Sequence, residues 1–438
     1  MAKKKQIELT IEEKLQNALV PKEEQPYKIP NNWCWIRLLE SFVNKTDSKK
    51  KIKQKDYLEE GNYPIVDQGR DLIGGYTNDD KLIIYIKKPI IVFGDHTRCI
   101  KYINFDFVQG ADGTKILEPK KIFLEKYFYY AFKNINIPSL GYRRHYPMFN
   151  KLKIQIAPIN EQQRIVNRIE SLFAKLDRAK ELIENTLAQF EQNKMAILHK
   201  AFIGELTAKW RKENNIDLSS WEIVSIKDIG EVKGGKRLPK GEMLVNENTG
   251  HPYIKAGNLK NGTVAFNDLQ YLKPQVYEKI KKYIVKENDV YITIVGACIG
   301  DVGIIPKEVN GANLTENAAK ITNLKCNAKF LSIQLSISSV QKQIKGKIAS
   351  ATLGKLSLQN IKNIQIKMPT IEEQQEIVNI LDKLLAKYNK IKNLEQQLEK
   401  IELLKKVILA KAFRGELGTN NPDEESAENL LKEILAEK

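Results

Sequence analysis

One long segment occurs twice in this chain of 438 residues. Residues 161–206 begin EQQRIVNRIESLF and end KAFIGEL, and residues 373–417 begin EQQEIVNILDKLL and end KAFRGEL. Gln162 corresponds to Gln374, and the second copy is slightly shorter than the first. The repeat period far exceeds the roughly 20–50 residues of stacked repeat units. The duplication therefore predicts one large module, a globular part with a long helical segment, that is used twice.

Both copies have the periodicity of a long helix. In the first copy, apolar residues such as Ile165, Ile169 and Leu172 follow the alternating spacing of a coiled-coil seam. The second copy repeats the pattern from Ile377 through Ile408, with small register slips after Ile391. A proline precedes each copy and a glycine ends it, as is typical of helix boundaries: Pro158 and Gly204, Pro369 and Gly415. We predict two helices of roughly 38 residues, about 57 Å long, that pack side by side.

The segments that precede the two helices also correspond to each other. Each opens on a tryptophan, Trp33 or Trp221, and continues through short β-branched runs separated by Gly, Asn and Asp. Each then turns helical, around residues 120–134 and 327–345. The predicted fold class is therefore α+β, with two globular α/β domains. The predicted boundaries are an N-terminal arm 1–20, domain 21–157, helix 158–206, domain 207–368, helix 369–417 and an acidic C-terminal tail 418–438.

The net charge of +17 points to a polyanionic partner. Positive charge attracts nucleic acid and steers its encounter with the protein. Residues 418–438 contain six acidic residues and two lysines, so the basic excess lies in the rest of the chain. Residues 45–56 contain six lysines and read as a solvated loop that could also touch phosphates.

Composition also limits the compartment and the metal chemistry. No apolar run approaches the ~20 residues of a membrane span, and the basic N-terminus lacks the apolar stretch of a secretory signal. Four cysteines lie far apart, without a CxxC pair, and no HxxxH pair exists. We therefore expect a cytoplasmic protein with free thiols, no structural zinc and no membrane partner.

Motifs for catalysis are mostly absent from the sequence. It contains neither the (D/N)PP(Y/F) loop of an adenine methyltransferase nor the PD…(D/E)xK cluster of a common metal-dependent nuclease. Residues 230–236 match the glycines and lysine of a P-loop, but Arg237 occupies the position of the hydroxyl that binds magnesium. Asp95 and His96 have no nucleophile placed with them. We predict a chain without a catalytic site of its own.

The remaining candidates have the chemistry of DNA contacts. Arg, Lys, Gln and Asn can bond base edges, and Lys, Arg, Ser and Thr can hold phosphates. For any one of these residues, a solvated surface charge is the alternative interpretation. The first domain supplies Gln68, Arg70, His96, Arg98, Lys101, Lys115, Tyr142, Arg143, Arg144 and His145. The second supplies Lys233, Lys236, Arg237, Lys255, Asn258, Lys260, Lys345, Lys347, Thr352 and Lys355.

These motifs, in this order, resemble type I restriction–modification specificity subunits. The proline, EQQRIV or EQQEIV, long helix and KAFIGEL or KAFRGEL are similar to the conserved regions of that family. ALVPKEEQPYKIPNNWCWIRL at 18–38 resembles the start of a first target-recognition domain. GKLSLQNIKNIQIKMP at 354–369 resembles the link to the second helix, and 413–434 resembles the usual C-terminus.

The resemblance implies two target-recognition domains on an antiparallel coiled coil, related by a pseudo-twofold axis. Each domain would read one half of a split, asymmetric DNA target, and the helix pair would fix the gap. Two modification subunits, which methylate adenine from S-adenosylmethionine, would dock on the chain, and restriction subunits that translocate and cut DNA would join them. S-adenosylmethionine, ATP and Mg²⁺ would serve those partner subunits, so this chain itself would hold no cofactor.

Two other classes of function stay open at this point. One is a coiled-coil scaffold or adaptor whose charge serves only solubility. The other is an enzyme with its own methyltransferase or nuclease activity, which the missing motifs oppose. Salt-sensitive, sequence-selective binding to duplex DNA would distinguish the specificity subunit from the scaffold.

Overall fold

The computed structural model describes residues 10–47, 49–349, 354–389 and 392–436. The chain divides into two compact units. Unit 1 comprises Met1–Glu184 and Glu395–Lys438, and unit 2 comprises Asn185–Leu394. Both mix helices with short strands, which confirms the predicted α+β class.

The helices and strands are as follows in chain order. The helices are α1 (Ile11–Ala18), α2 (Glu125–Asn134), α3 (Ile159–Phe202), α4 (Ala208–Glu213), α5 (Ile226–Ile229), α6 (Pro274–Ile280), α7 (Ala328–Ser336), α8 (Ser338–Ala349), α9 (Leu358–Lys362), α10 (Ile371–Asn389), α11 (Lys392–Ala412) and α12 (Ala427–Ala436). The strands of unit 1 are β1 (Cys34–Arg37), β2 (Phe42–Asn44), β3 (Lys51–Ile52), β4 (Tyr63–Val66), β5 (Gly75–Thr77), β6 (Ile83–Ile84), β7 (Ile90–Gly94), β8 (Ile100–Ile103), β9 (Phe107–Gly110), β10 (Thr114–Pro119) and β11 (Lys153–Ile156). The strands of unit 2 are β12 (Glu222–Ser225), β13 (Glu231–Gly234), β14 (Pro252–Ile254), β15 (Leu259–Lys260), β16 (Thr263–Val264), β17 (Gln270–Tyr271), β18 (Val290–Thr293), β19 (Val302–Ile304), β20 (Asn313–Leu314), β21 (Ala318–Thr322) and β22 (Gln365–Met368).

Unit 1 contains a four-stranded antiparallel sheet in the order β2-β10-β7-β8. A second sheet has the order β3-β9-β4-β5, in which β4 and β9 are parallel. Helix α2 covers the first sheet because Phe128, Ala131 and Phe132 share one face of the helix and are buried. Their partners in this core include Phe93 and Phe149, whose ring centroids lie 4.9 Å apart. Edge-to-face and tilted aromatic packing therefore holds the sheet, helix and following turn together.

Unit 2 repeats this topology with a different sequence. Its four-stranded antiparallel sheet has the order β13-β21-β18-β19, and β14 pairs in parallel with β20 as β4 does with β9. The outer pair β12-β22 corresponds to β1-β11. Helix α7 takes the place of α2 and buries Phe330, Leu331 and Leu335. The duplication predicted from the long helices therefore extends to the strand order of the globular parts.

The long helices are antiparallel within each unit. In unit 1, Asp177 of α3 bonds Lys405 of α11 at 2.5 Å, and one turn later Lys180 lies 3.4 Å from Glu402, so the numbers rise in one helix as they fall in the other. In unit 2, the end of α3 packs Ala201 and Phe202 against α10. Helix α3 has 44 residues and is about 66 Å long, which is longer than predicted.

Glycine ends the long helices as predicted. Gly204 has φ +85° and Gly415 has φ +76°, a left-handed backbone conformation that residues with a side chain rarely adopt. The next residue in each case donates its N–H back to the helix, from Glu205 to Lys200 O at 3.0 Å and from Glu416 to Lys411 O at 2.9 Å. The predicted seam position Ile391 lies outside the described residues.

The Glu-Gln-Gln motif fastens each long helix to its globular part. Gln162 accepts the Leu124 N–H at 2.9 Å, and Gln374 accepts the Asn327 N–H at 2.8 Å. The carboxylate of Glu161 accepts the indole N–H of Trp33 at 2.7 Å. These buried side chains satisfy backbone and indole donors where the helix leaves the sheet, so the motif has a structural role.

The acidic C-terminal segment folds onto unit 1, whereas its composition predicts a tail. Arg164 holds Glu424 through two hydrogen bonds of 2.7 and 2.8 Å. Helix α12 then buries Ala427 and Leu431, and Lys432 pairs with Glu12 of α1 at 3.1 Å. The segment folds because its apolar residues lie on one face of α12, a pattern that a count of acidic residues conceals. Among the described residues, no helix combines the length and apolar character needed to cross a membrane.

Candidate nucleic-acid interface

Four loops of unit 1 meet at one surface, here called the first loop cluster: residues 67–74, 94–99, 110–113 and 137–146. Asp95, in the turn between β7 and β8, is 2% exposed. Its carboxylate accepts the N–H groups of His145 at 2.8 Å and Tyr146 at 2.6 Å. Asp95 also donates its own N–H to Gly113 O at 2.7 Å. Asp95 therefore ties three loops together, two through its buried carboxylate and the third through its backbone N–H.

His145 holds the 137–146 loop from inside. Its ring is fully buried, with Nδ1 2.8 Å from Asp95 O, and Nε2 accepts the Leu140 N–H at 3.1 Å. These two contacts require a neutral imidazole with its proton on Nδ1. The prediction that His145 contacts DNA is therefore wrong, because the side chain is committed to the interior. It positions the exposed residues that precede it.

Three of the sequence candidates, Gln68, His96 and Tyr142, lie together in the structure. His96 donates its N–H to Gln68 Oε1 at 3.3 Å. Its ring stacks on Tyr142 with centroids 4.9 Å apart and planes 19° apart, and its Nδ1 lies 2.9 Å from Tyr142 O. Tyr142 is 85% exposed, so the stack presents an aromatic face to solvent. Such a face can stack on a base or pack on a deoxyribose.

The basic residues of the first loop cluster differ in how free they are to move. Arg70, Arg143 and Arg144 are exposed. Arg98 is exposed as well, but its guanidinium donates to Ile137 O at 2.9 Å and its backbone has φ +61°. Lys115 is half-buried and lies 5.1 Å from the centre of the Tyr146 ring. Arg143 and Arg144 are therefore the most accessible cations beside the Tyr142 face.

Lys101 is not available to DNA, which corrects the sequence prediction. It is 6% exposed, and its Nζ lies 3.5 Å from Asp67 Oδ1. Burial lowers the pKa of Lys101, and the negative charge of Asp67 partly opposes that effect. Asp67 also accepts the Gly69 N–H at 2.8 Å and the Tyr57 hydroxyl at 3.4 Å. Lys101 therefore stabilises the 67–74 loop through its ion pair with Asp67.

Unit 2 has an equivalent second loop cluster, formed by residues 234–240, 294–301 and 314–317. Lys236 donates its N–H to Leu314 O at 2.8 Å, and Ile294 donates to Asn317 O at 2.8 Å. Arg237 is exposed and pairs with Glu316 at 2.6 Å. Lys236 lies 5.5 Å from the centre of the Tyr283 ring. The sequence candidates Lys236 and Arg237 therefore lie together at this surface.

The other candidates of unit 2 are more scattered. Lys233 is exposed and pairs with Glu231 at 2.6 Å, and Lys255 bonds Gln270 at 3.0 Å. Asn258 is 3% exposed and bonds Ala265 O and Asn267 O, so its predicted DNA contact is wrong and it braces a turn. Lys260, Lys345 and Lys355 are exposed and Lys347 is half-buried, whereas Thr352 lies outside the described residues.

Sequence reasoning missed the acidic members of both clusters. Asp112 hydrogen-bonds Lys51 at the first cluster, and Glu316 pairs with Arg237 at the second. The lysine-rich segment 45–56 is also more than a loop, because Lys51–Ile52 forms β3 beside β9. A search restricted to basic residues omits these carboxylates. Both lie just before a strand, β10 or β21, and this shared position could have identified them. Among the described residues, no group of three or more His, Cys, Asp or Glu could hold a metal ion.

Comparison with known proteins identifies the family. The family described as type I restriction modification DNA specificity domain matches residues 30–189 and 219–403. These two matches cover more than half of the chain and follow its duplication. The chain therefore belongs to this family.

Individual relatives agree with that assignment. The chain is similar to the type I restriction enzyme EcoBI specificity subunit of Escherichia coli, 29% identical over 306 residues, which are 65% of this chain and 64% of that subunit. The match to the EcoKI specificity subunit of Escherichia coli strain K12 is 27% identical and spans 66% of this chain and 65% of the relative. These two matches thus span just under two thirds of the relatives. The MjaVIII specificity subunit of Methanocaldococcus jannaschii is 22% identical over 91% of this chain and 96% of its own length.

A solved structure shares the fold. It concerns complex assembly and conformational transition of the type I R-M system, and one of its chains aligns with a TM-score of 0.66 at 16% identity. The alignment covers 90% of this chain and 100% of that chain.

Proposed function

We propose that this chain is the non-catalytic DNA-specificity subunit of a type I restriction–modification complex. Each unit reads one half of a bipartite, asymmetric DNA target, with residues 21–157 and 207–368 as the two recognition domains. Modification subunits that methylate adenine dock on the chain, and restriction subunits join the complex. The family assignment and the relatives, which are themselves specificity subunits, support this role.

The observation that carries the proposal is one loop frame with two sets of side chains. In each unit, the residue after one central strand donates its N–H to the turn that precedes the adjacent strand. Asp95, after β7, donates to Gly113 O before β10, and Ile294, after β18, donates to Asn317 O before β21. The exposed side chains on this frame differ between the units. A fixed frame with variable side chains suits two different half-sites, because base contacts carry sequence information and the frame sets their position.

The chemistry of the first loop cluster supports contact with duplex DNA. Arg143 and Arg144 directly follow the exposed Tyr142 in the chain, and all three side chains are exposed. Arginine can neutralise phosphates and can bond guanine bidentately, and an aromatic ring adds apolar contact. Asp95 and His145 fix the loop, which limits the conformational entropy lost on binding.

An apolar strip on α11 supports docking of another polypeptide. Leu403, Leu404 and Val407 are 61%, 47% and 42% exposed. Their spacing places them along one side of the helix. Exposed apolar residues that adjoin one another are typical of protein interfaces, and we assign this strip to a modification subunit.

A footprinting experiment tests the proposal. The full chain is combined with its modification subunits, methylated adenines are mapped by sequencing, and hydroxyl-radical protection is measured on the selected duplex. The variant with Arg143→Ala and Arg144→Ala should lose protection in one half-site only. The matched variant with Lys233→Ala and Lys236→Ala should lose protection in the other half-site.

Salt dependence supplies the second readout. The plot of log affinity against log salt has a negative slope, and each lost phosphate contact should make it shallower by about 0.9. Loss of the same half-site in both variants would contradict one unit per half-site. A wild-type chain that bound all duplexes equally, or none, would instead indicate a scaffold protein.

A further inference from the structure

Asp112 and Glu316 occupy the same position in the duplicated fold. Asp112 lies in the turn between β9 and β10, and Glu316 lies in the turn between β20 and β21. The next residue in each turn accepts a backbone hydrogen bond from the end of the adjacent strand. Gly113 O accepts the Asp95 N–H at 2.7 Å, and Asn317 O accepts the Ile294 N–H at 2.8 Å. Residues 110–114 are GADGT and residues 314–318 are LTENA, so the loop sequences differ, yet both units place a carboxylate here.

Each carboxylate pairs with at least one basic side chain. Lys51 hydrogen-bonds Asp112 and lowers the pKa of that carboxyl, and the charges of Arg144 and Lys53 act in the same direction. Burial would raise the pKa of Glu316, but hydrogen bonds from Arg237 and Thr315 outweigh it and lower the pKa. Both carboxyl groups are therefore ionised at neutral pH, and both can only accept hydrogen bonds.

The first turn is fixed against the loops that we assign to DNA reading. A side chain at Gly113 would meet Gln68 Oε1 at 2.7 Å and the His96 ring at 2.8 Å, and this glycine has φ +89°. The turn therefore packs directly on the Gln68–His96–Tyr142 group. Asp112 is 78% exposed there, so its carboxylate can reach a ligand at the same surface as Arg144.

A carboxylate on such a surface cannot serve as a phosphate contact. It repels phosphate and reduces the affinity that the surrounding lysines and arginines supply. In the major groove, the base-edge groups that donate to an acceptor are N4 of cytosine and N6 of adenine, and Asp or Glu characteristically accepts from cytosine N4. A carboxylate that faces DNA here is therefore favourable where it accepts a hydrogen bond from a base edge.

We propose that Asp112 and Glu316 are equivalent specificity-determining residues, each of which accepts a hydrogen bond from cytosine N4 in its own half-site. Lys51 and Arg237 hold the carboxylates in place before DNA binds. This inference rests on the proposed function, because it assigns one reading contact within each half-site. It adds a residue type that a search for basic contacts overlooks.

Paired substitutions test the inference in the full chain with its modification subunits. Asp112→Asn and Glu316→Gln keep the shape and remove one charge each, so each variant is the control for the other. Duplexes randomised in both half-sites are selected by methylation and sequenced. Asp112→Asn should reduce the preference for cytosine at one position of one half-site by about tenfold, and Glu316→Gln should do so in the other.

Other outcomes would overturn the inference. A uniform gain in affinity for all sequences would show that the carboxylates only weaken the binding of phosphates. Unchanged selectivity would show that they only position the basic residues. Lys51→Gln removes the ion pair and keeps the carboxylate, so the cytosine preference should weaken less than in Asp112→Asn, and an equal or larger loss would overturn the direct contact by Asp112. A wild-type chain without any sequence preference would refute the proposed function, whereas an unaltered preference in both variants would refute only this inference.

Discussion

Replacing Glu373 with glutamine should destabilise unit 2 more than the matched change Glu161→Gln destabilises unit 1. Both residues begin the same motif, both are fully buried, and both accept a tryptophan N–H. Glu373 also pairs with Arg211 at 2.6 Å. The donors to Glu161 are uncharged, namely Trp33, Thr419 and Asn420. The two positions thus compare a buried ion pair with a buried carboxylate among neutral donors.

The structure sets the expected magnitudes. The Arg211 side chain is 7% exposed, and after Glu373→Gln its remaining hydrogen-bond acceptors are the neutral groups Thr207 Oγ1 and Gly204 O. Leaving one member of a buried ion pair without its counter-charge costs about 3–5 kcal/mol, and the retained amide oxygen favours the lower end. At position 161 the amide oxygen can still accept from Trp33 and Asn420, so the loss is about 1 kcal/mol. The difference between the variants is therefore about 2 kcal/mol.

Native-state hydrogen exchange followed by mass spectrometry can measure this difference. A single free energy of unfolding is poorly defined for a chain of two units, whereas exchange reports each region separately. The informative peptides cover the start of α3 and the start of α10. Adding Arg211→Met to Glu373→Gln removes the unpaired charge and should restore part of the lost protection. Equal losses in the two single variants would show that the ion pair contributes no more than the neutral hydrogen bonds.

Two further predictions concern the surface loops and the C-terminal segment. The hydrogen bonds from Arg164 lower the pKa of Glu424, so the pair stabilises unit 1 fully above the unfolded pKa of about 4.3 and loses this contribution as the pH falls through the lower folded value. After correction for the intrinsic exchange rate, which itself falls as the pH is lowered, the protection of α12 should therefore decrease at acid pH in the wild type, and Glu424→Gln should have low protection already at pH 7; acid-insensitive protection in the wild type would contradict the pairing. Asp95→Ala should raise exchange across residues 137–146 and weaken protection of one DNA half-site, because two backbone N–H groups lose their acceptor. Normal exchange in that loop would show that His145 alone suffices to hold it.

Local sequence patterns predicted the helical part of the fold well. The apolar spacing and the terminal glycines indicate α3, α10 and α11, because both signals act within a few residues. Strand pairing was harder to derive. The strands β3, β4 and β9 have two to four residues, and their parallel pairing joins segments far apart in the chain. Such short strands gain their stability from tertiary packing, which a local pattern does not contain.

The candidate site was predicted less well because burial is a tertiary property. A lysine in the sequence reads as a surface charge, but Lys101 lies inside because Asp67, on a distant loop, supplies its counter-charge. His145 was selected as part of a basic and aromatic run, yet its two ring nitrogens satisfy backbone groups. The proximity of Gln68 and Tyr142 to His96 is likewise absent from the sequence pattern, since it arises where turns beside short strands converge at one edge of the sheets.

The two units show which contacts the duplicated fold requires and which it leaves free. The tryptophan–glutamate bond and the glutamine latch recur in both units, since each long helix must leave its sheet at a fixed angle. Each glutamate also accepts a threonine hydroxyl, from Thr419 in unit 1 and Thr207 in unit 2. The remaining donor differs, Asn420 for Glu161 and Arg211 for Glu373, because either one satisfies a buried carboxylate. A carboxylate before the central strand recurs although no backbone contact requires it. Packing therefore explains the first pair of contacts, whereas Asp112 and Glu316 each pair with a cation, Lys51 or Arg237, at the surfaces to which we assign the reading of DNA.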